Sequence, residues 1–278
     1  MKSLTEKKIR IAILLGGQLR HWDITSKMFK LYNNIYTDVQ YDFFLSTWDD
    51  SYNGKKSIES DFSFVNAHEI ISTSVLNTNQ GNYKGEDNSK EYKVYPYLFK
   101  RVNQLKNDYQ NEYGINYDCV ISTRPDIYLN LEMLKEGYNI IKNTLYIPLG
   151  IRKNISSITN KEIIKMDDLV LIGDDSVINI HANLYDDMHV KRIQPNLGSH
   201  LTNANHVVNN DISYRKTQEQ AFAIPVRDNM VNYLENLYKS ENLKELYNPF
   251  SIINNSKDVE DMLSKLFHEH PINQKKQK

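Results

Sequence analysis

Three short polar motifs each follow directly on an apolar run of strand length. They are residues 16–20 (GGQLR), 46–50 (STWDD) and 123–126 (TRPD). In parallel α/β sheets, ligands bind beyond the carboxyl ends of the strands, so the residues that follow strands are the ones with access to a ligand. We therefore expect the three motifs to converge along one rim of a sheet.

The first motif combines a flexible turn with a cation. Gly16 and Gly17 allow the backbone to approach a ligand closely, and Arg20 offers a planar fork of donors for a phosphate. No Gly-Lys-Ser/Thr follows, so the motif is not a P-loop, and no third glycine completes a dinucleotide-binding fingerprint. The alternative is a plain glycine turn followed by a surface arginine.

The third motif places a cation and an acid two residues apart at a strand end. Pro125 fixes its own φ and pushes Arg124 towards an extended conformation. This geometry could aim the carboxylate of Asp126 at a metal ion or a sugar hydroxyl, with the guanidinium of Arg124 beside it for a diphosphate. The alternative is a structural ion pair that closes a loop.

Two further places offer binding or acid–base chemistry. Trp48 could stack on a base or a sugar ring while Asp49 and Asp50 bind hydroxyls; alternatively, it is a core tryptophan followed by a solvated acidic turn. Asp167 and Asp168 precede an apolar run, where they could bind an acceptor hydroxyl or act as a general base. They could equally form a loop with an Asp turn.

The elements that position these motifs alternate between strands and helices. Helices are predicted at 25–36, at 92–113 with a start near Pro96, at 174–188 and through most of the C-terminal third. Residues 196–210, which include His200 and His206, are predicted to form a polar loop over a site. Apolar runs predict strands at 9–15, 41–46, 117–122, 145–148 and 168–173.

This alternation predicts an α/β fold with a mostly parallel sheet flanked by helices and a helical C-terminal part. We assign residues 1–225 to one α/β domain. Residues 226–278 are predicted to form a helical segment packed on that domain, with a frayed basic tail.

Composition excludes several functional classes. The 34 Lys and Arg residues nearly balance 35 Asp and Glu residues, which argues against a nucleic-acid partner bound by bulk charge. The mean hydropathy of −0.60 and strand-sized apolar runs indicate no integral membrane segment. One cysteine permits no internal disulfide and no Cys-based zinc site, and the eight histidines form no metal signature. With no signal-peptide pattern after the charged start, we expect a cytoplasmic protein.

Taken in order, the motifs resemble those of a group of GT-A type glycosyltransferases found in surface-polysaccharide gene clusters and in some large viruses. The similarity covers roughly the first 190 residues and is carried by four segments. They are residues 11–20 (IAILLGGQLR), 41–49 (YDFFLSTWD), 117–127 (YDCVISTRPDI) and 167–173 (DDLVLIG).

The resemblance implies that residues 1–225 form a nucleotide-sugar-binding domain with a Rossmann-like GT-A fold. It also implies the transfer of a sugar from a nucleoside-diphosphate sugar to a glycan or other hydroxyl acceptor. In such enzymes an Asp-x-Asp turn commonly holds Mn²⁺ or Mg²⁺ against the donor diphosphate. Here Arg124 stands in place of the first acid, which leaves Asp126 as the candidate metal ligand. Asp167 and Asp168 are the catalytic candidates, and the donor-binding candidates are Gly16, Gly17, Arg20, Trp48, Arg124 and Asp126. The rival interpretation is a non-catalytic α/β protein that binds a nucleotide or glycan.

Overall fold

The computed structural model describes residues 8–35, 39–49, 62–75, 88–129, 140–147, 151–155, 162–166, 169–189, 199–216 and 223–225. The predicted helical segment 226–278 lies outside these residues, so the division at residue 225 stays a prediction. In the part of the chain that the structure describes, no helix is both long and apolar enough to cross a membrane.

Eleven strands and five helices are present in the described residues. The helices are α1 (Trp22–Ile35), α2 (Asn88–Tyr113), α3 (Asp175–Ala182), α4 (Leu184–His189) and α5 (Ser199–Asn209). The strands are β1 (Ile9–Gly16), β2 (Val39–Trp48), β3 (Val65–Ile71), β4 (Cys119–Thr123), β5 (Ile127–Leu129), β6 (Thr144–Ile147), β7 (Ile151–Ile155), β8 (Glu162–Met166), β9 (Val170–Gly173), β10 (Ser213–Lys216) and β11 (Ala223–Pro225).

Seven of these strands form the main sheet, in the order β10-β6-β9-β4-β1-β2-β3. The pairs β10–β6, β4–β1, β1–β2 and β2–β3 are parallel, whereas β9 runs antiparallel to both β4 and β6. The predicted α/β class with a mostly parallel sheet flanked by helices is confirmed. Two small antiparallel pairs, β5–β11 and β7–β8, lie outside the main sheet.

Strand β1 is buried on both faces, as its continuous apolar run predicts. Alternate side chains enter two separate cores. Ile11, Ile13 and Leu15 join the core beneath α1, and Ala12 and Leu14 join the core that contains side chains of α2 and α3. Full burial of a Leu or Ile side chain contributes roughly 1.5 to 3 kcal/mol. This packing fixes the positions of the turns that follow β1 and β4.

Several predicted boundaries are wrong, for identifiable reasons. Helix α2 begins at Asn88 and carries Pro96 in its interior, where the packing of Val94 against Trp48 offsets the missing backbone donor. The helix predicted at 174–188 is divided at Asn183, the C-cap of α3. Strand β3 was not predicted, because an edge strand with alternating exposure carries many polar residues.

The predicted polar loop at 196–210 is mostly the helix α5. Its buried face includes polar side chains, Thr202, Asn203 and His206, so the apolar periodicity that reveals a helix is hidden. His206 is fully buried and therefore does not belong to a mobile cover over a site. The prediction of a covering loop here is wrong for the described residues 199–209.

Candidate functional site

The candidate site lies where the strand order of the main sheet reverses. From β1 the chain proceeds to β2 and β3 on one side, and β4 then pairs with the other side of β1. Helices α1 and α2 lie on opposite faces of this region, because their side chains belong to the two different cores. A crevice beyond the carboxyl ends of two such strands is the usual ligand position in open α/β sheets.

The glycine turn after β1 contacts the arginine–proline turn after β4. Gly17 has a φ of 146°, a conformation that side chains rarely adopt, and its N–H donates to the carbonyl oxygen of Ser46 at 3.1 Å. A Cβ at Gly17 would lie 3.3 Å from Cδ of Pro125 and 3.6 Å from Cγ of Arg124. The structure thus brings two of the predicted motifs, more than 100 residues apart in the sequence, into direct contact.

Arg124 and Asp126 form a two-pronged ion pair. Nε of Arg124 donates to Oδ1 of Asp126 at 2.8 Å, and Nη2 donates to Oδ2. The N–H of Ile127 donates to the carbonyl oxygen of Arg124 at 3.2 Å and closes the turn. Asp126 is fully buried, whereas 27% of the Arg124 side chain is exposed. The acid therefore fixes the orientation of a guanidinium that remains accessible beside Gly17.

These residues fit a divalent metal ion poorly. Both carboxylate oxygens of Asp126 accept from Arg124, and a cation brought to them would meet the guanidinium charge. Within the described ranges, no three His, Cys, Asp or Glu side chains cluster closely enough to hold a metal ion. Mn²⁺ or Mg²⁺ at Asp126 stays a prediction from the resemblance, and we derive no step from it.

The second motif is packed into the protein. Trp48 is 8% exposed and lies in a cluster with Ile71, Val94 and Leu98. Oδ1 of Asp49 accepts from the backbone N–H of Thr73 at 3.0 Å and from its hydroxyl. This arrangement favours the alternative in which Trp48 covers the top of the sheet. Asp50 lies outside the described residues.

The segment between β1 and α1 carries both expected and unexpected features. The side chain of Arg20 is exposed. His21, which sequence reasoning did not select, has a φ of 53°, and α1 begins at the next residue. Such a conformation costs a non-glycine residue about 1 to 3 kcal/mol, and such costs concentrate at functional sites. Only its position after Arg20 could have drawn attention to His21.

A polar network beside Gly17 was also missed. The hydroxyl of Ser46 donates to Oε1 of Glu69 at 2.7 Å, and Nη2 of Arg101 donates to Oε2 of Glu69 at 2.6 Å. The hydrogen bond to Glu69 raises the pKa of Arg101. The three residues come from β2, β3 and α2, so no local motif in the sequence could reveal the network.

Because β9 is antiparallel to β4, its first residue lies at the edge of the sheet where β4 ends. Val170 pairs with Thr123, the last residue of β4, and the hydroxyl of Thr123 donates to the carbonyl oxygen of Leu169 at 3.0 Å. The residue Leu169 therefore lies at the carboxyl end of β4, beside the turn that holds Arg124. Asp167 and Asp168, the predicted catalytic pair, lie outside the described residues.

Comparison with known proteins gives a distant structural likeness. No family model matches the chain, and no curated protein matches it. Among solved structures, the chain is similar to a glycosyltransferase involved in the glycosylation of the major capsid of PBCV-1. The TM-score is 0.38 and the identity 10%, over 76% of this chain and 82% of the other. A likeness at this distance assigns the chain neither a family nor an activity.

Proposed function

We propose that this chain is a glycosyltransferase that moves a sugar from a nucleoside-diphosphate sugar to a glycan or other hydroxyl acceptor. The observation that carries the proposal is the contact of Gly17 with Arg124 and Pro125 where the strand order reverses. It joins a backbone that a ligand can approach closely to a fixed, partly exposed guanidinium, in the crevice where open α/β sheets bind nucleotides.

Diphosphate binding would use the two arginines of the site. A guanidinium presents its N–H donors in a planar fork that matches phosphate oxygens, and 27% of the Arg124 side chain is exposed. Because Asp126 holds this group in place, little side-chain entropy is lost when it meets a phosphate. Arg20, exposed at the end of the turn after β1, supplies a second cation for the same charge.

The reaction breaks the bond between the anomeric carbon and the β-phosphate oxygen of the donor, and the electron pair stays on that oxygen. Negative charge therefore grows on the leaving nucleoside diphosphate as the acceptor oxygen attacks the anomeric carbon. A fixed donor such as Arg124 contributes most at this moment, and removal of one comparable donor costs about 100- to 1,000-fold in rate. In an inverting reaction the acceptor proton would pass to Asp167 or Asp168.

A second candidate function is nucleotide or glycan binding without turnover. The observation that favours it is the ion pair itself, because Asp126 partly neutralises the charge that Arg124 would offer to a diphosphate. The two candidates differ in whether a donor is consumed. A cytoplasmic location, a role in polysaccharide biosynthesis and the identity of the sugar remain predictions.

The test is calorimetric titration of the full chain with UDP, GDP and CMP, with and without Mn²⁺, followed by a donor-hydrolysis assay with the matching nucleotide-sugar. Arg124→Gln should weaken nucleotide binding at least tenfold and reduce hydrolysis about 100-fold. Arg10→Gln is the matched control, because Arg10 also pairs with a buried aspartate but lies at the amino end of β1. It should lower the melting temperature yet leave nucleotide affinity unchanged.

Nucleotide binding without donor hydrolysis would support the binding protein and overturn the transferase. Loss of nucleotide affinity in Arg10→Gln but not in Arg124→Gln would overturn the proposed position of the site.

A further inference from the structure

A polar cleft of about 690 Å³ opens between the C-terminal half of α2 and the start of α3. This volume is within the range of about 300 to 1,000 Å³ typical of small-molecule sites. Amide side chains dominate its lining: Gln104, Asn107, Gln110, Asn111, Asn116 and Asn179. None of the predicted motifs contributes to the described lining of this cleft, and the proposed transfer reaction does not use it.

The cleft lies at the opposite edge of the sheet from the candidate site. Asn116 precedes β4 and therefore lies near its amino end, whereas Arg124 follows the carboxyl end. Asp175, which also lines the cleft, follows β9, and because β9 is antiparallel its end lies at the same amino edge. A ligand in this cleft would thus be separated from the turn at Gly17 by the length of the central strands.

The amide of Asn179 is held in one orientation. Its Oδ1 accepts from Nδ2 of Asn103 at 2.8 Å, from Nδ2 of Asn107 at 3.1 Å and from Nζ of Lys106 at 3.4 Å. All three donors come from α2, so the NH₂ group of Asn179 points away from that helix. It finds no acceptor among the described residues, although Asn179 lines the cleft.

The single charged residue in the described lining is already neutralised. Oδ1 of Asp175 accepts from Nζ of Lys106, whose side chain is completely buried, and Oδ2 accepts from Gln110 at 3.4 Å. Burial lowers the pKa of Lys106, while the bond to Asp175 opposes that shift. No Lys or Arg is among the described lining residues, so this part of the lining presents no accessible cation to an anionic ligand.

The remaining groups are matched donors and acceptors. Asn107 and Gln110 use their NH₂ groups within the protein, so their carbonyl oxygens are left to accept. Asn111 and Asn116 are exposed and have no hydrogen-bond partner among the described side chains. Neutral amides arranged in this way suit ligands whose groups both donate and accept, which is the property of hydroxyls.

We propose that this cleft is a binding site for a neutral saccharide of one or two sugar units, separate from the candidate site at Gly17. Its amides exchange hydrogen bonds with the hydroxyls of the sugar ring. The ion pair between Asp175 and Lys106 holds the start of α3 against α2 and so fixes the shape of the cleft. This inference does not rest on the proposed transferase activity, since it depends only on the cleft and its lining.

The experiment uses the full chain with glucose, galactose, mannose, maltose and cellobiose as probes. Saturation-transfer NMR selects the saccharide that binds, and calorimetric titration measures its affinity. Asn111→Leu replaces an exposed amide of the cleft with an apolar side chain and should weaken binding at least tenfold. Asn205→Leu is the matched control, because Asn205 is also an exposed asparagine on a helix, α5, but does not line the cleft.

Three outcomes would overturn the proposal: no probe binds, both leucine variants lose affinity equally, or inorganic phosphate displaces the saccharide. Arg124→Gln separates this proposal from the proposed function. Arg124→Gln should retain saccharide binding at the cleft even if it loses nucleotide binding. If Arg124→Gln lost saccharide binding while Asn111→Leu kept it, the saccharide would instead bind at the carboxyl edge of the sheet, and the proposal would be overturned.

Discussion

Two buried aspartates, each paired with an arginine, lie towards opposite edges of the central strands and differ in what they connect. Asp42 accepts from Nε of Arg10 at 2.6 Å, from the hydroxyl of Tyr117 at 2.9 Å and from the amide of Asn66 at 3.3 Å. Burial, with the charge of Asp42 next in size, raises the pKa of Tyr117 and keeps its hydroxyl a donor. Asp42 therefore joins β1, β2, β3 and the segment before β4.

Among the residues that the structure describes, Asp126 makes no such connection. Its side-chain partner is Arg124, two residues away on the same turn. Because its described hydrogen bonds stay within one turn, Asp126 adds little to the pairing of distant elements. It is nevertheless completely buried beside the glycine turn at Gly17. The comparison separates an acid that ties strands together from an acid that orients one guanidinium.

The largest expected effect is on stability at Asp42. Replacing Asp42 with Ala leaves Arg10 and Tyr117 without their acceptor and should lower the free energy of unfolding by about 3 to 5 kcal/mol. Urea denaturation followed by circular dichroism measures the loss. Nucleotide affinity of the folded fraction should not change, and a variant of normal stability would remove the contrast between the two acids.

Asp126→Asn should be less destabilising and more damaging to activity. Loss of a charge-assisted hydrogen bond to a partly exposed arginine costs about 1.5 to 3 kcal/mol. Donor hydrolysis should fall about 100-fold, because the guanidinium of Arg124 is no longer held in place. Thermal melting and the hydrolysis assay together measure the two effects. Full turnover in a strongly destabilised protein would instead assign Asp126 the same structural role as Asp42.

Gly17→Ala and Gly114→Ala form a matched pair, because both glycines have a left-handed φ, 146° and 60°. A side chain in such a conformation costs about 1 to 2 kcal/mol, so both variants should lose stability, and Gly17→Ala should lose more. At Gly17 the new methyl group also meets Pro125, whereas at Gly114 it meets nothing within 4 Å. Nucleotide affinity should fall in Gly17→Ala alone; an equal fall in both would show that the turn after β1 is not the binding surface.

The smallest expected effect is the pH dependence set by His181 and His206. Burial lowers the pKa of both below the usual 6.5. As the pH falls through 6.5, the histidines of the unfolded chain take up protons that those of the folded chain do not. The free energy of unfolding therefore decreases with falling pH. Between pH 7.5 and 6.0 one such histidine costs less than about 1 kcal/mol.

Melting temperatures at these two pH values measure the effect, and His181→Phe should flatten the dependence. A protein that is more stable at pH 6.0 would contradict the buried neutral state of these rings. The stabilities of the variants at Asp42, Asp126, Gly17 and Gly114 should be compared at pH 7.5, where both histidines contribute little to differences in stability.

Much of the fold could be predicted because central strands carry a local signal. The apolar run of β1 and the turn at residues 16–17 can be read without tertiary contacts, and the alternation of strands and helices predicted the α/β class. Edge and surface elements could not be predicted in this way. Strand β3 carries alternating polar residues, and α5 buries His206 and two other polar side chains, so neither shows the expected periodicity.

The candidate site was partly predictable for the same reason. Gly17 and Arg124 each follow a recognisable strand, and the rule on carboxyl ends brings them together. The pairing of Arg124 with Asp126 was predicted as an alternative, but the complete burial of Asp126 could not be. The network of Ser46, Glu69 and Arg101 joins three elements, so it exists only in the folded chain.

Helix α2 extends from the carboxyl edge of the main sheet to its amino edge. Its 26 residues span about 39 Å, which exceeds the length of the central strands. Val94 and Leu98 near one end pack against Trp48 at the tip of β2, and Asn107 and Asn111 near the other end line the amide cleft. One continuous helix therefore sets the distance between the packing at Trp48 and the lining of the cleft, and Pro96, which has no backbone N–H to donate, is the position in it where a bend is most easily accommodated.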